Sequence, residues 1–224
     1  MDYNTLILGS IFFADLSILV FLSRYGAKAV GFSVVMNMLL VSVLAQKEIV
    51  IFGLHNNLGV IPYAVATTSI SLCAVKHGLT GCVKLINATF ACLLLFLVVV
   101  GLSTLLPSMQ GNESITGALK LLFSPAPQIA FASFIAFYSS QTVNCVIIER
   151  LHLPLYVRKI FANTVAQGID SILFYQIAMV GLIPQEKIFL FIVGGVISKS
   201  ILNIIDIPFF VLALRWHKEE KFSL

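Results

Sequence analysis

The polar side chains with the most regular spacing lie in two apolar stretches in the C-terminal half of the chain. They form two trios with the same spacing of four and then three residues: Asn163, Gln167 and Asp170 in one stretch, and Lys199, Asn203 and Asp206 in the next. Residues three and four apart share one face of a helix, so each trio predicts a polar stripe on an apolar helix. Amides combined with a carboxylate and an ammonium group can recognise the hydrogen-bonding edge of a small polar ligand.

A third apolar stretch brings Gln141 and Asn144 to the same level. At about 1.5 Å per residue, Asp170 lies about 15 Å from one end of its predicted helix, and Lys199 about 16 Å from the opposite end of the next. Gln141 and Asn144 lie thirteen and sixteen residues into their own stretch. We therefore predict an Asp170–Lys199 pair within a pocket for a flat, polar, neutral heterocycle. The phenylalanine and tyrosine rings expected to cover its faces belong to the same stretch: Phe131, Phe134, Phe137 and Tyr138.

A structural interpretation competes with this binding-site hypothesis. Asp170 and Lys199 could form an ion pair that only joins helices, with the amides adding interhelical contacts of about 0.6 kcal/mol each. Asp206 precedes Pro208 and could serve helix geometry as well as a ligand. Asp15 and Asn37 are isolated polar residues of the first two stretches, for which a structural contact is the favoured interpretation. The hydroxyl-bearing Thr67, Thr68, Ser69 and Ser71 can bond their own helix backbone.

The composition indicates which elements must position these side chains. Of 224 residues, 59% are hydrophobic and only 11% are charged, whereas soluble domains carry roughly 25% charged residues. Seven apolar segments, at about 5–22, 29–45, 59–75, 85–106, 128–148, 160–183 and 188–214, approach or exceed the length needed to cross a bilayer as helices. We predict an all-α polytopic membrane protein with an N-terminal helix (1–28), a six-helix core (29–215) and a tail (216–224).

The distribution of Lys and Arg predicts the orientation in an inner membrane. If the seven segments alternate, ten of these residues fall on one side and three on the other, while Lys199 lies within the membrane. The positive-inside rule then places the N-terminus outside and the C-terminus in the cytoplasm. Arg158 and Lys159, at a predicted cytoplasmic helix start, are interpreted as anchors of this kind. The outer loop from Pro107 to Gln128 could be a plain connector, a lid or an interfacial helix.

Other classes of function find no support in the sequence. Cys73, Cys82, Cys92 and Cys145 have no paired spacing and no His at metal-ligand intervals, so we expect buried thiols and neither a disulfide framework nor a metal site. No cofactor is implied, and no basic patch with aromatic partners suggests nucleic acid. The motifs HExxH, GxSG and GxxxxGK[ST] are all absent, which argues against an enzyme and against ATP hydrolysis through a P-loop.

Residues 132–208 resemble the queuosine precursor transporter family, also called the putative vitamin uptake transporter (VUT) family. The similarity is carried by ASFIAFYSSQTVN, by the block around AN-T-VAQGIDSILF and by ILNIIDIPF. It implies a bundle similar to the substrate-binding subunits of energy-coupling-factor transporters, and uptake of a deazaguanine base from across the lipid bilayer. Where the family carries an Asp and a Glu this sequence has Ser71 and Val75, and where it carries another Asp this sequence has Asn144.

Two questions stay open at this point. The chain could be a transporter of queuine or a simpler 7-deazaguanine, or an energy-coupling-factor type binding subunit for another vitamin or nucleobase. The second hypothesis requires an ATPase module that docks on a small-residue face, for which Ala162 and Ala166 are candidates. A homo-oligomer is compatible with either hypothesis.

Overall fold

A computed structural model describes residues 3–45, 47–51, 54–106, 114, 117–120, 127–179, 181 and 184–217. The helices are α1 (Tyr3–Ser23), α2 (Ala27–Leu44), α3 (Val60–Ser103), α4 (Pro127–Arg150), α5 (Leu155–Ala178), α6 (Gln185–Ile205) and α7 (Ile207–Trp216). Their length and apolar character confirm the prediction of an all-α polytopic membrane protein. Within the described ranges, five helices are long and apolar enough to cross a membrane, judged by length and composition: α1, α2, α3, α4 and α6.

Helix α3 consists of two helical arms, because the chain bends back on itself at Gly78. Gly78 has φ 64° and ψ −172°, a conformation that only glycine adopts at little cost. The sulfur atom of Cys82 lies 3.9 Å from the carbonyl oxygen of Ile70, although twelve residues of straight helix would separate them by about 18 Å. The predicted segments 59–75 and 85–106 are therefore the two arms of α3, residues 60–77 and 79–103.

The first arm of α3 is the centre of the bundle. All of its residues from Val60 to Ala74 are buried, which marks a helix packed on every side. One hydrophobic cluster joins it to α2, α4 and the second arm of α3, and another joins it to α1, α6 and α7. Its many small residues let the surrounding helices approach closely, so polar groups on several helices can meet at its surface.

Two elements differ from the sequence prediction. The predicted segment 188–214 is interrupted at Asp206, where α6 ends and α7 begins with Pro208 in its first turn. Proline lacks the amide hydrogen that would continue the helix. The connector between α2 and α3 forms an antiparallel hairpin, β1 (Glu48–Ile51) and β2 (Leu54–Asn57), with Glu48 opposite Asn57. Of the predicted loop from Pro107 to Gln128, residues 117–120 are helical and 107–113 and 121–126 lie outside the described residues.

Candidate functional site

Asp170 of α5 and Lys199 of α6 form an ion pair. Lys199 Nζ donates a hydrogen bond of 2.8 Å to Asp170 Oδ2 and lies 3.5 Å from Ser171 Oγ. The Lys199 and Asp170 side chains keep 15% and 11% of their surface exposed, so the pair is enclosed without being sealed. Since an isolated charge within a membrane is costly, each group stabilises the other.

Tyr63, on the first arm of α3, lies against this ion pair. Lys199 Nζ is 4.7 Å from the centroid of its ring, within the range of a cation–π interaction. The Tyr63 hydroxyl accepts a hydrogen bond of 3.2 Å from Gln141 Nε2 and interacts with the Asp170 carboxylate. Its spacing in the sequence gave no indication of this role. The available signal was that Tyr63 is the sole aromatic residue of segment 59–75.

The three phenylalanines of α4 that were predicted to cover the pocket all take other positions. Phe131 is 61% exposed on the outer surface. Phe134 packs edge-on against Phe90 of the second arm of α3, with ring centroids 5.1 Å apart. Phe137 is buried in the hydrophobic cluster of α2, α3 and α4. The alternation of phenylalanines with serines therefore reflects packing against α3, and the aromatic ring beside the polar groups comes from Tyr63.

Gln141 and Asn144 extend the polar layer along α4, as predicted, and both are completely buried. Asn144 Nδ2 donates to Ser71 Oγ at 3.2 Å and to Gln141 Oε1 at 3.4 Å. Among the described residues, nothing donates to Asn144 Oδ1, which is also buried. An unpaired buried acceptor costs about 1–3 kcal/mol, so this oxygen is a candidate for a ligand contact.

Gln167 is the clearest case of a buried polar side chain without a partner. It is 1% exposed on α5. Neither its amide nitrogen nor its amide oxygen has a hydrogen-bond partner among the described residues. Native proteins pair most buried polar groups, and an exception requires an explanation. A ligand that offers one donor and one acceptor side by side would satisfy both atoms.

A second ion pair joins α5 to the α6–α7 junction and corrects the prediction for Lys159. Lys159 is not a surface anchor: its side chain is fully buried and its ammonium group bonds the Asp206 carboxylate, which is 1% exposed. Asp206 also accepts from the Thr68 hydroxyl, and its side chain caps neither adjoining helix. The sequence pattern missed this pair because Lys159 lies beside Arg158 at a helix start, where a cation is usually solvated.

Asn163 and Asn203 lie next to this second pair rather than beside Asp170. Lys159 Nζ donates to Asn203 Oδ1 at 2.9 Å, and Asn163 Nδ2 donates to the same oxygen at 2.9 Å. Asn203 Nδ2 in turn donates to the Ile160 carbonyl oxygen at 3.3 Å. The eight predicted site residues thus divide into two groups. Gln141, Asn144, Asp170 and Lys199 form one through Tyr63 and each other, and Asn163, Asn203 and Asp206 form the other with Lys159. Gln167 has no hydrogen bond to either group among the described residues, and we place it with the first because it lies one turn from Asp170 on α5.

Ser71 connects the two groups. Its hydroxyl oxygen lies 2.9 Å from Asn163 Oδ1 and 2.8 Å from the Thr67 carbonyl oxygen, and it can donate to either. It accepts the hydrogen bond from Asn144. An unbroken series of polar contacts therefore runs from Asp206 through Lys159, Asn203, Asn163 and Ser71 to Asn144. Three of the four hydroxyls on this arm, those of Thr67, Ser69 and Ser71, also lie within bonding distance of carbonyl oxygens in their own helix, as expected.

The isolated polar residues of the first two predicted segments are explained by a contact between α1 and α2. Asp15 and Asn37 meet each other, with Asn37 Nδ2 3.3 Å from Asp15 Oδ1, so these two isolated residues form an α1–α2 contact.

The expectation of unpaired thiols is wrong for Cys82 and Cys145, which form a disulfide between α3 and α4 across 63 residues. Sequence spacing cannot reveal a pair that depends on the fold. Among the described residues, no three potential ligands gather as a metal site.

A cavity of the described structure lies away from this polar layer. Its volume is about 250 Å³, and it lies between α1 and α7. The two polar groups are held closely by the helices around them, so a ligand the size of a nucleobase requires these helices to separate.

Comparisons with known proteins agree with the resemblance in the sequence. A model of the putative vitamin uptake transporter family matches residues 57–213, which include α3 to α6 and most of α7. A protein of Bacillus subtilis (strain 168) described as "Probable queuosine precursor transporter" is 25% identical over 169 residues, covering 73% of each chain. No solved structure matches the chain. Helices α1 and α2 lie outside the matched region.

Proposed function

The chain belongs to the putative vitamin uptake transporter family and is a multi-pass membrane transporter of a small molecule; from that premise we propose that it imports a queuosine precursor, either queuine or a simpler 7-deazaguanine base, for tRNA modification. The observation that carries the proposal is Gln167, a buried amide with no partner for either polar atom among the described residues. The name of the Bacillus subtilis relative supports the same substrate class.

The chemistry of the polar layer suits this substrate. A 7-deazaguanine base presents a flat ring whose edge carries two adjacent N–H donors and a carbonyl acceptor. The Asp170 carboxylate accepts the two donors, while the Gln167 amide supplies a donor for the carbonyl and an acceptor for a remaining N–H. Asn144 Oδ1 offers a further acceptor. Gln141 and Asn163 complete the pocket, and the Tyr63 ring covers one face of the base.

The Asp170–Lys199 pair provides the switch between states. Without substrate, Lys199 neutralises Asp170 at 2.8 Å. When the base donates to Asp170, Lys199 is released towards the Tyr63 ring, 4.7 Å away. A ligand shifts a conformational equilibrium only by its differential affinity for the two states. The exchange of one partner of Asp170 for another supplies that difference, because the substrate can bond Asp170 only in the state in which Lys199 has moved.

Apart from Asn163, the second group acts on the substrate indirectly in this scheme. Asn203 and Asp206 are occupied by Lys159, Thr68 and the backbone. They fix the α6–α7 junction and orient Asn163 towards the first group.

Uptake of labelled queuine into cells that lack both queuosine synthesis and their own salvage transporter tests the proposal, with queuosine in tRNA as the second readout. The chain should restore both signals, and Gln167→Leu should abolish the restoration. Thr142→Val is the matched control, since Thr142 lies between Gln141 and Asn144 and donates only to the Tyr138 carbonyl oxygen at 2.7 Å. No restoration by the correctly inserted wild-type chain would rule out queuine as the substrate.

The alternative hypothesis is an energy-coupling-factor type binding subunit, and the face predicted to dock its ATPase module is not accessible. Ala162 and Ala166 are 0% and 1% exposed, buried within this chain's own bundle. Uptake in cells depleted of ATPase subunits of that type distinguishes the two hypotheses, because a self-sufficient transporter keeps its activity there.

The orientation in the membrane is part of the proposal. We place the N-terminus outside and the C-terminus in the cytoplasm of a cell with an inner membrane, from the excess of Lys and Arg on one side. A C-terminal green fluorescent protein should therefore fluoresce, and a C-terminal alkaline phosphatase should be inactive. The opposite pattern would reverse the assignment.

A further inference from the structure

The cavity between α1 and α7 has the form of a lipid-binding groove. Its volume is about 250 Å³, and its lining residues are Ser17, Val20, Phe21 and Arg24 of α1 and the adjoining turn, and Phe209, Leu212 and Trp216 of α7. On each side the lining residues recur every three or four positions along the chain, with Val20 and Phe21 adjacent on the α1 side. Two matching helix faces therefore form the walls. Both helices end at the same end of the groove, near Ser23 and Trp216.

The polar and apolar parts of this groove are separated along its length. Arg24 and Trp216 mark one end, while Val20 and Leu212 lie about one turn deeper and Ser17 and Phe209 about two turns deeper. Tyr25 is 59% exposed and packs edge-on against Phe21, with ring centroids 5.3 Å apart. Exposed Trp and Tyr rings at helix ends are typical of the headgroup level of a membrane. The deeper part then faces the acyl chains.

The Arg24 guanidinium places a positive charge at the headgroup end of the groove. Its guanidinium carbon lies 3.7 Å from the centroid of the Trp216 ring, so the ring holds the cation in place from one side. Within the described part of the chain, Arg24 forms no ion pair with a carboxylate. A stacked guanidinium keeps its N–H donors available for bidentate contact with a phosphate.

We propose that this groove binds one anionic phospholipid, with its phosphate on Arg24 and one acyl chain between α1 and α7. Charge complementarity selects the headgroup, and the two apolar turns below Arg24 accept the first part of the chain. The site is independent of the transported molecule, because none of its residues belongs to the polar layer around Asp170 or Asp206. It also gives a role to α1, which lies outside the region that the family model matches.

The test is the retention of phosphatidylglycerol by the purified full-length protein, measured by native mass spectrometry against phosphatidylcholine with the same acyl chains. The wild type should retain one phosphatidylglycerol with about tenfold higher affinity than phosphatidylcholine. Arg24→Gln should remove that preference, and Trp216→Leu should weaken it. Arg215→Gln is the matched control, because it removes an equal charge from an exposed position next to Trp216 that is not part of the groove.

Three results would overturn the proposal. Equal affinity of the wild type for both lipids would mean that the groove holds acyl chains only. Equal losses in Arg24→Gln and Arg215→Gln would mean that general charge attracts the lipid. If Arg24→Gln does not fold, a photoreactive phosphatidylglycerol is applied to the wild type, where crosslinks should map to residues 17–24 and 209–216; crosslinks elsewhere would also overturn it.

Discussion

Helices α5 and α6, with the junction that follows α6, are joined by two ion pairs of opposite polarity. In one, α5 supplies the cation Lys159 and the junction supplies Asp206; in the other, α5 supplies Asp170 and α6 supplies Lys199. The chemical groups are the same, yet their surroundings differ. Lys159 and Asp206 are sealed and also bond Asn203 and Thr68. Asp170 and Lys199 keep more than a tenth of their surface exposed.

This difference in exposure and bonding distinguishes a fixed ion pair, Lys159–Asp206, from an exchangeable ion pair, Asp170–Lys199. A sealed pair whose lone pairs and protons are all engaged cannot change partners without exposing a charge to the apolar interior. A partly open pair next to unpartnered amides can accept a new partner at little cost. We therefore assign Lys159–Asp206 to the integrity of the bundle and Asp170–Lys199 to the exchange with substrate.

The strongest test of this assignment is Lys159→Met, which leaves the Asp206 carboxylate buried without its cation. Breaking a buried pair on one side costs about 3–5 kcal/mol. We expect little folded protein in the membrane and a much lower unfolding temperature in detergent. Arg158→Gln is the control, since Arg158 is the neighbouring cation and the one hydrogen bond of its side chain among the described residues goes to the Leu151 carbonyl oxygen. The double variant Lys159→Met with Asp206→Leu should recover much of the stability, and a failure to recover would mean that other contacts of Lys159 dominate.

Lys199→Met should have a smaller effect on folding and a complete effect on transport. The cost in stability should be about 1–2 kcal/mol, between the values for exposed and buried pairs, because Asp170 is partly exposed and keeps its contact with Tyr63. Queuine uptake should fall to background, since Asp170 loses the group that it exchanges for substrate. Unfolding temperature and uptake are measured on the same preparations. If Lys199→Met destabilises as much as Lys159→Met, the two pairs do not differ in the proposed way.

These two pairs also show how far the sequence alone could predict the site. The Asp170–Lys199 pair and the Gln141–Asn144 layer followed from helical spacing and depth, because each lies well inside an apolar segment where a polar residue is conspicuous. Lys159 was missed because it lies one turn from a helix start, next to a second cation, where its environment depends on the helices opposite. Tyr63 was missed because its partners come from α4, α5 and α6.

The same physical reason explains the errors in the fold. Segments long enough to span a membrane are visible in composition, and the turn at Gly78 follows from a glycine between two apolar stretches. The break at Asp206 was anticipated from Pro208 only as a change in helix geometry. The Cys82–Cys145 disulfide and the outward position of Phe131 depend on how α3 and α4 pack. Periodicity within one helix contains no information on that packing.

Gln167→Leu should lower transport without lowering the stability of the protein. The wild-type side chain holds two buried polar atoms without a partner among the described residues, so an apolar side chain of similar size should leave the protein equally stable or more stable by about 1 kcal/mol. Uptake should nevertheless fall at least about tenfold, because the substrate loses a donor and an acceptor. Thermal unfolding and initial uptake rates give the comparison. A loss of both stability and uptake would show that Gln167 has a structural role, as Lys159 does.

Ser71→Ala should have the smallest effect, and it tests whether the two regions act on each other at all. Ser71 accepts from Asn144 and lies 2.9 Å from Asn163 Oδ1, so its removal separates the two groups while each ion pair stays intact. The cost should be about 0.5–1 kcal/mol, the value of one ordinary hydrogen bond. In a double-mutant cycle, Ser71→Ala and Asn144→Ala should show a coupling energy above about 0.5 kcal/mol, whereas Ser71→Ala and Thr142→Val should be additive. Additivity in both cycles would mean that the polar contacts through Ser71 contribute no coupling energy between the two groups. The Lys159–Asp206 pair would then influence the Asp170–Lys199 pair only through the helices that both pairs share.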